Sequence, residues 1–198
     1  ETKDVTRTIE YYDSVTGAAI PTDIEATVTQ TATLTRNKIY DDQNNFIGYG
    51  TISADGSSYT IDDSWKVDAQ TWIQQDSADL SAYGYTAPDR ASVAAVTVDG
   101  DTTNVTEKVY YGHQTVPVTP ENPGTPGEPI NPKGNVDYPD GVSKDDLIST
   151  VTRTINYVDE DGNAVNGSPD GTSSYVQTAE FTRTAIVDKV TGKILGYD

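Results

Sequence analysis

The nine residues Val5-Thr6-Arg7-Thr8-Ile9-Glu10-Tyr11-Tyr12-Asp13 return as Val151-Thr152-Arg153-Thr154-Ile155-Asn156-Tyr157-Val158-Asp159, with seven of nine positions identical. The likeness continues through Gln30-Thr31-Ala32 and Gln177-Thr178-Ala179, Thr35-Arg36 and Thr182-Arg183, and Gly48-Tyr49 and Gly196-Tyr197. The offset drifts only from 146 to 148, so two short insertions account for it. Such a chain carries two copies of one module and is expected to fold as a tandem, not around one shared core. The first copy extends to about Tyr111, whereas the second reaches only the counterpart of Tyr49.

Within the first copy the local pattern is mostly strand. Ile24, Ala26, Val28, Ala32 and Leu34 occupy even positions, while Thr27, Thr29, Thr31, Thr33 and Thr35 occupy the odd ones. That period-two alternation predicts a half-buried strand with a β-branched polar face. Val5, Ile9 and Tyr11 alternate likewise, as do Val105, Val109 and Tyr111, and Ser92 to Val98 adds a β-branched run. The Val105–Tyr111 segment carries no Pro and is therefore expected inside its sheet. Asp76 to Tyr83 departs from this pattern, with N-cap residues before a short apolar turn and Gly84 and Pro88 beyond it, which predicts one short helix.

Between the copies, Pro117, Pro120, Pro123, Pro126, Pro129 and Pro132 keep a strict period of three. This is the period of polyproline II, so the segment is expected to act as an extended spacer of about 50 Å at roughly 3.1 Å per residue. The predicted organisation is a complete repeat over 1–112 with a possible subdomain boundary near 50, a Pro-rich spacer over 113–141, and the front part of a second repeat over 142–198. A piece of 48 residues without Cys lies near the lower limit for an independent core. It is expected either to form a small subdomain or to pair its open strand edge with a neighbouring chain.

Charge and composition narrow the chemistry. Thirteen Lys and Arg against 31 Asp and Glu give a net charge of −18, which repels nucleic acid and anionic lipid alike. With no Cys and a single His, His113, thiol, iron–sulfur and zinc chemistry have no ligand set. No apolar run approaches the ~20 residues of a membrane span. No nucleophile elbow, phosphate loop or zinc-binding helix is present, so no catalytic residue, enzyme activity or cofactor is assigned. Asp159, Asp161 and Asn163 resemble the opening of a calcium loop, but Asp170 stands where the bidentate Glu belongs, and a hairpin turn is the preferred reading.

Tyrosine is the informative residue type, at 13 against two Phe and two Trp. Its flat apolar ring and hydrogen-bonding tip suit contact with carbohydrate or protein at a wet surface. The strand residues Tyr11, Tyr49, Tyr111, Tyr157 and Tyr197 are expected half-buried at the sheet rim. Trp72, Tyr83 and Tyr85, around the expected helix, are the ligand-binding candidates.

The Val-Thr-Arg-Thr-Ile-x-Tyr opening, the later Gln-Thr-Ala and Thr-Arg, and Asp79-Leu80-Ser81-Ala82-Tyr83-Gly84-Tyr85 together resemble the mucin-binding repeats of surface adhesins from lactic acid bacteria. The resemblance implies an α+β, strand-dominated fold, with modules related to the ubiquitin-like β-grasp and joined by an extended Pro-rich linker. It implies a secreted, cell-wall-attached surface protein of a Gram-positive bacterium, with adjacent repeats of the same chain as neighbours. The implied partner is host mucin or another glycoprotein, with immunoglobulin as a further option. A purely structural stalk and an uncharacterised hydrolase are the alternatives, and only the hydrolase requires a cleft holding a paired carboxylate.

Overall fold

A computed structural model describes residues 1–133 and 136–198. The strands in chain order are β1 (Thr2–Asp13), β2 (Val28–Thr35), β3 (Lys38–Tyr40), β4 (Phe46–Ile52), β5 (Tyr59–Ile61), β6 (Thr71–Trp72), β7 (Gln75–Asp76), β8 (Tyr85–Pro88), β9 (Ser92–Val93), β10 (Val96–Thr97) and β11 (Val105–His113). They continue as β12 (Thr115–Val118), β13 (Ile148–Asn156), β14 (Ser174–Thr182), β15 (Ala185–Asp188) and β16 (Ile194–Tyr197). Two compact units result, one from Glu1–Leu80 with Thr86–Gly112, the other from Ser81–Tyr85 with His113–Asp198.

In the first unit a four-stranded sheet has the order β2-β1-β11-β8. β1 and β2 pair antiparallel, and β1 and β11 pair parallel, so the Pro-free β11 does lie inside the sheet. A parallel pair needs a long crossover, usually a helix. Here the crossover is made of short strands and turns, and no α-helix is found among the described residues. The helix expected over Asp76–Tyr83 is replaced by a single 3₁₀ turn at Ser81–Tyr83, because β7 already claims Gln75–Asp76 for pairing with β9. The alternation predicted from Ile24 starts only at Val28, since Ile24 and Glu25 turn back onto the Pro21 carbonyl.

Alternation within β1 sends Val5, Arg7, Ile9 and Tyr11 inward. Val5 packs with Ala32, Leu34, Trp72 and Val98, and Trp65 and Val67 border that cluster. Full burial of a Val or Leu side chain in this cluster stabilises the fold by about 1.5–3 kcal/mol. The outer face is polar, and the Thr33 hydroxyl donates to the Asp4 carboxylate at 2.7 Å across the β1–β2 pair. Tyr11 and Tyr111 are fully buried, not half-buried at a rim, because they face inward on the two central strands with ring centroids 6.4 Å apart.

β3, β4 and β5 form a separate three-stranded sheet. β4 runs through Gly50, the position of the expected subdomain boundary, and a Cβ there would lie 1.8 Å from the Thr60 carbonyl oxygen. That close approach lets β5 pair with β4 from Gly50 to Ile52.

In the second unit the proline segment is not a free spacer. Pro117 lies within β12, which pairs antiparallel with β15, and β15 pairs in turn with β16. Gly127 and Ile130 then donate backbone hydrogen bonds to Tyr138 and Val136, and Pro120, Gly124 and Asn131 are buried. Gly134 and Asn135 of the segment lie outside the described residues. Val118 from this stretch shares one core with Val142, Leu147, Ala185 and Val187, bordered by Val116, Ile130 and Tyr138 of the same stretch and by Ile194. The short second copy thus gains its core from the residues that precede it. β13 and β14 form a two-stranded hairpin exposed over most of its length.

Candidate functional site

The sequence candidates do not assemble into a surface. Trp72 is 3% exposed, in the first unit's core, and the Arg7 guanidinium carbon lies 5.8 Å from its ring centroid. Alternation at β6 turns Trp72 inward and leaves its neighbour Ile73 outside. Tyr85 is also buried, with its ring edge-on to His113 at 5.8 Å, and Tyr83 is half-buried in the 3₁₀ turn. The Asp159 carboxylate is occupied by its own turn, accepting from Asp161 N at 3.0 Å, Asn163 N at 2.7 Å and Asn163 Nδ2 at 3.2 Å. Those bonds, led by the Asn163 amide, hold it below the ordinary carboxylate range. They close a hairpin turn, and no group of three or more metal-ligating side chains is found among the described residues.

The exposed aromatic surface lies instead on β3 and β4. Register pairs Lys38 with Tyr49 and Tyr40 with Phe46, bringing these side chains to one face while Ile39 points into the protein. Tyr40 and Phe46 meet edge-on at 5.8 Å, and Phe46 and Tyr49 at 5.3 Å. The Arg36 guanidinium follows, 3.4 Å from the Tyr49 centroid and 4.4 Å from that of Trp65, and Lys3 Nζ lies 4.7 Å from Trp65 on the same row. Arg36 also pairs with the Glu1 carboxylate at 2.6 Å. Hydrogen bonds from Tyr49 and Arg36 hold that carboxyl below its usual range.

This row is anchored at its Trp65 end and open at the other, where Tyr40 and Phe46 are 46% and 52% exposed. The turn beyond them is fixed. Asp41 Oδ1 accepts from Gln43 N at 2.9 Å and Asn45 N at 2.7 Å, Oδ2 accepts from Asn45 Nδ2 at 2.9 Å, and Asn44 takes a left-handed φ of 66°. Exposed Gln43 and Asn44 in the turn and exposed Lys38 on the same strand as Tyr40 thus place amide and ammonium donors near the two exposed rings. Flat apolar faces ringed by such donors can take a sugar ring by its C–H face and bond its hydroxyls.

The second copy lacks this surface. Val187 and Ile194 pair in β15 and β16 as Tyr40 and Phe46 pair in β3 and β4, and they are packed into the second core. Sequence reasoning singled out neither Tyr40 nor Phe46. The available signal was the difference between the copies, since Tyr49 is kept as Tyr197 while these two aromatics become aliphatic.

No curated protein sequence matches the chain. Among solved structures, the mucin-binding domain of Spr1345 from Streptococcus pneumoniae is similar at 25% identity, over 57% of this chain and 92% of that one, with a TM-score of 0.42. The MucBP domain of the adhesion protein from Pediococcus pentosaceus is 24% identical over 57% of this chain and 99% of its own, with a TM-score of 0.35. The type 2 repeat of the mucus binding protein MUB from Lactobacillus reuteri is 14% identical over 98% and 73% of the two chains, with a TM-score of 0.36. The model of the Muc B2-like domain matches residues 1–115 and again 142–198, the two stretches that carry the internal repeat, and the chain belongs to this family of mucin-binding domains.

Proposed function

We propose that the chain is an extracellular adhesin module that binds mucin-type glycoproteins through the Tyr40–Phe46 surface of its first copy. The observation that carries this reading is the pair of half-exposed rings on a row anchored by Arg36 and Trp65. Rings held in place from behind lose little conformational freedom on binding, which suits a weak contact multiplied by repetition. Display on a Gram-positive cell wall belongs to the same reading, as does a β-grasp relationship, which the parallel pairing of β1 with β11 supports. Immunoglobulin is a second ligand to be tested on the same surface.

The test is binding of the full chain to immobilised mucin, with Tyr40→Ala and Phe46→Ala made singly and together. The double variant is expected to lose at least tenfold in affinity with its melting transition retained, because both side chains lie mostly outside the core. Unchanged binding by a folded double variant would overturn the assignment. A role as a stalk alone predicts no mucin binding by the parent chain.

A further inference from the structure

The first and last strands of the first copy lie side by side. β1 and β11 run parallel in register from Arg7 opposite Val105 to Asp13 opposite Tyr111, at the centre of the sheet, although residues 14–104 separate them in the chain. A parallel neighbour requires such a crossover, and closing it costs entropy that an antiparallel hairpin avoids. All four strands of this sheet belong to the first copy, so the pairing is complete within it.

Both ends of the pair are closed. At one end Asn104 Oδ1 accepts from Thr6 N at 2.8 Å, and at the other the Tyr111 carbonyl accepts from Ser14 N at 2.8 Å and Ser14 Oγ at 3.0 Å. Between these ends, side chains tie the strands on both faces. Inside, the Tyr11 and Tyr111 rings lie 6.4 Å apart among fully buried Ile9 and Val109. Outside, Glu10 stands opposite Lys108, the Tyr12 and Tyr110 rings meet at 5.8 Å, and Lys108 Nζ lies 4.8 Å from the Tyr12 centroid.

Chain connectivity puts this pair on the path of a lengthwise load. The second copy is entered through β13, whose register with β14 repeats that of β1 with β2, and the first copy is left through β11, which runs on through Gln114 into β12. Entry along β1 and exit along β11 place the two pulling points at opposite ends of parallel strands. Tension then shears all seven residue pairs at once, whereas pulling both strands from the same end peels the pairs one after another.

We infer that the first copy is a load-bearing link, with the β1–β11 pair as the clamp that carries tension along a string of repeats. The inference rests on the surface-display part of the adhesin reading and not on the Tyr40–Phe46 site. Weak contacts multiplied over several copies hold a cell only if the copies between ligand and wall stay folded under load. Forced unfolding follows the unfolding barrier and not the equilibrium stability, so the clamp can be read separately from the fold.

The chain has no Cys, so paired cysteine handles for single-molecule pulling can be placed in it without ambiguity. Thr2→Cys with Thr115→Cys loads the clamp in shear, and Val15→Cys with Thr115→Cys loads it from one end, all three positions being exposed. The first unit is expected to unfold at a force at least about threefold higher in the shear geometry, with the same denaturant midpoint for both pairs of handles. Asn104→Ala is expected to lower the shear force and leave the peeling force unchanged, because peeling from Val15 reaches Asn104 last. Thr33→Ala removes a β1–β2 hydrogen bond that lies off the load path and is expected to change neither force. Equal forces in the two geometries would overturn the inference, as would equal effects of Asn104→Ala and Thr33→Ala on the shear force. Neither outcome depends on whether the chain binds mucin.

Discussion

The guanidinium of Arg36 stands 3.4 Å from the ring centroid of Tyr49, and the repeat preserves this stacking as Arg183 over Tyr197 at 3.8 Å. Both arginines sit at the entry to the hairpin that carries the tyrosine, so one planar cation pins the first strand of each hairpin to the last. In the first copy Trp65 covers the other face of the cation and Glu1 neutralises it. Arginine serves here because its flat guanidinium stacks on two rings at once, which a compact ammonium does not.

Arg36→Lys is therefore expected to lower first-unit stability by about 1 kcal/mol, in the range of partly desolvated cation–π contacts. Arg183→Lys should cost less, having one ring to lose. Denaturant midpoints of the two variants, followed by Trp65 and Trp72 fluorescence for the first unit and by amide exchange for the second, check the difference.

Arg7 and Arg153 occupy the same register position with opposite surroundings. Arg7→Leu takes the guanidinium donor from the Ala94 carbonyl and from Gln30 Oε1, leaving the Ile73 carbonyl only its bond from Gln30 Nε2, and should destabilise the first unit by about 3 kcal/mol. Arg153→Leu should change stability by less than about 0.5 kcal/mol, as is usual for an exposed site. Equal effects in urea unfolding would contradict the burial described for the two hairpins.

Gly84 has a φ of 90°, and a Cβ there would lie 2.5 Å from the Lys189 carbonyl oxygen. Gly84→Ala combines a left-handed penalty of about 1–2 kcal/mol with a backbone clash that no rotamer relieves. Amide exchange around Gln114 and Lys189 should accelerate more than elsewhere. Gly127, with a φ of 83° and open space where a Cβ would go, should tolerate Ala at the conformational cost alone.

Asp188 is buried beside His113, with Oδ2 2.7 Å from His113 Nδ1 and Oδ1 accepting from Val190 and Thr191 at 2.8 and 3.1 Å. Burial pushes the carboxyl up, but His113 and the two amides outweigh it and hold it below the ordinary 3.8. A depressed carboxyl contributes stability that is full above the unfolded value and is lost as pH falls through the folded one. The second unit should accordingly weaken below about pH 4. Asp188→Asn, which keeps the turn acceptor, should flatten that acid limb in a melting-temperature series.

Net charge bears on ligand binding in a way that salt can read. The chain carries −18, and sialylated or sulfated glycans are anionic as well, so added salt screens a repulsion. Mucin binding is expected to hold or strengthen between 50 and 300 mM NaCl. A steep loss would mean that cation-to-anion contacts dominate, with Lys38 the first residue to replace.

The repeat, the alternation of β1, the interior place of β11 and the family were legible in residues alone, because period-two burial and duplicated motifs are local properties of the chain. Trp72 was not, since an aromatic between Thr71 and Ile73 fits either face, and only the pairing of β6 with β10 turns it inward. The exposure of Tyr40 and Phe46 depended on what covers a hairpin. The same fold of chain in the second copy is buried under β12 and Ile130, residues that the proline period places in a spacer. A period of three sets the backbone torsions of proline, but it says nothing of whether the valines between the prolines find an open strand to pair with. Sequence thus determined which residues alternate and which recur. Tertiary structure decided which of two equivalent faces met water, because burial depends on segments far apart in the chain.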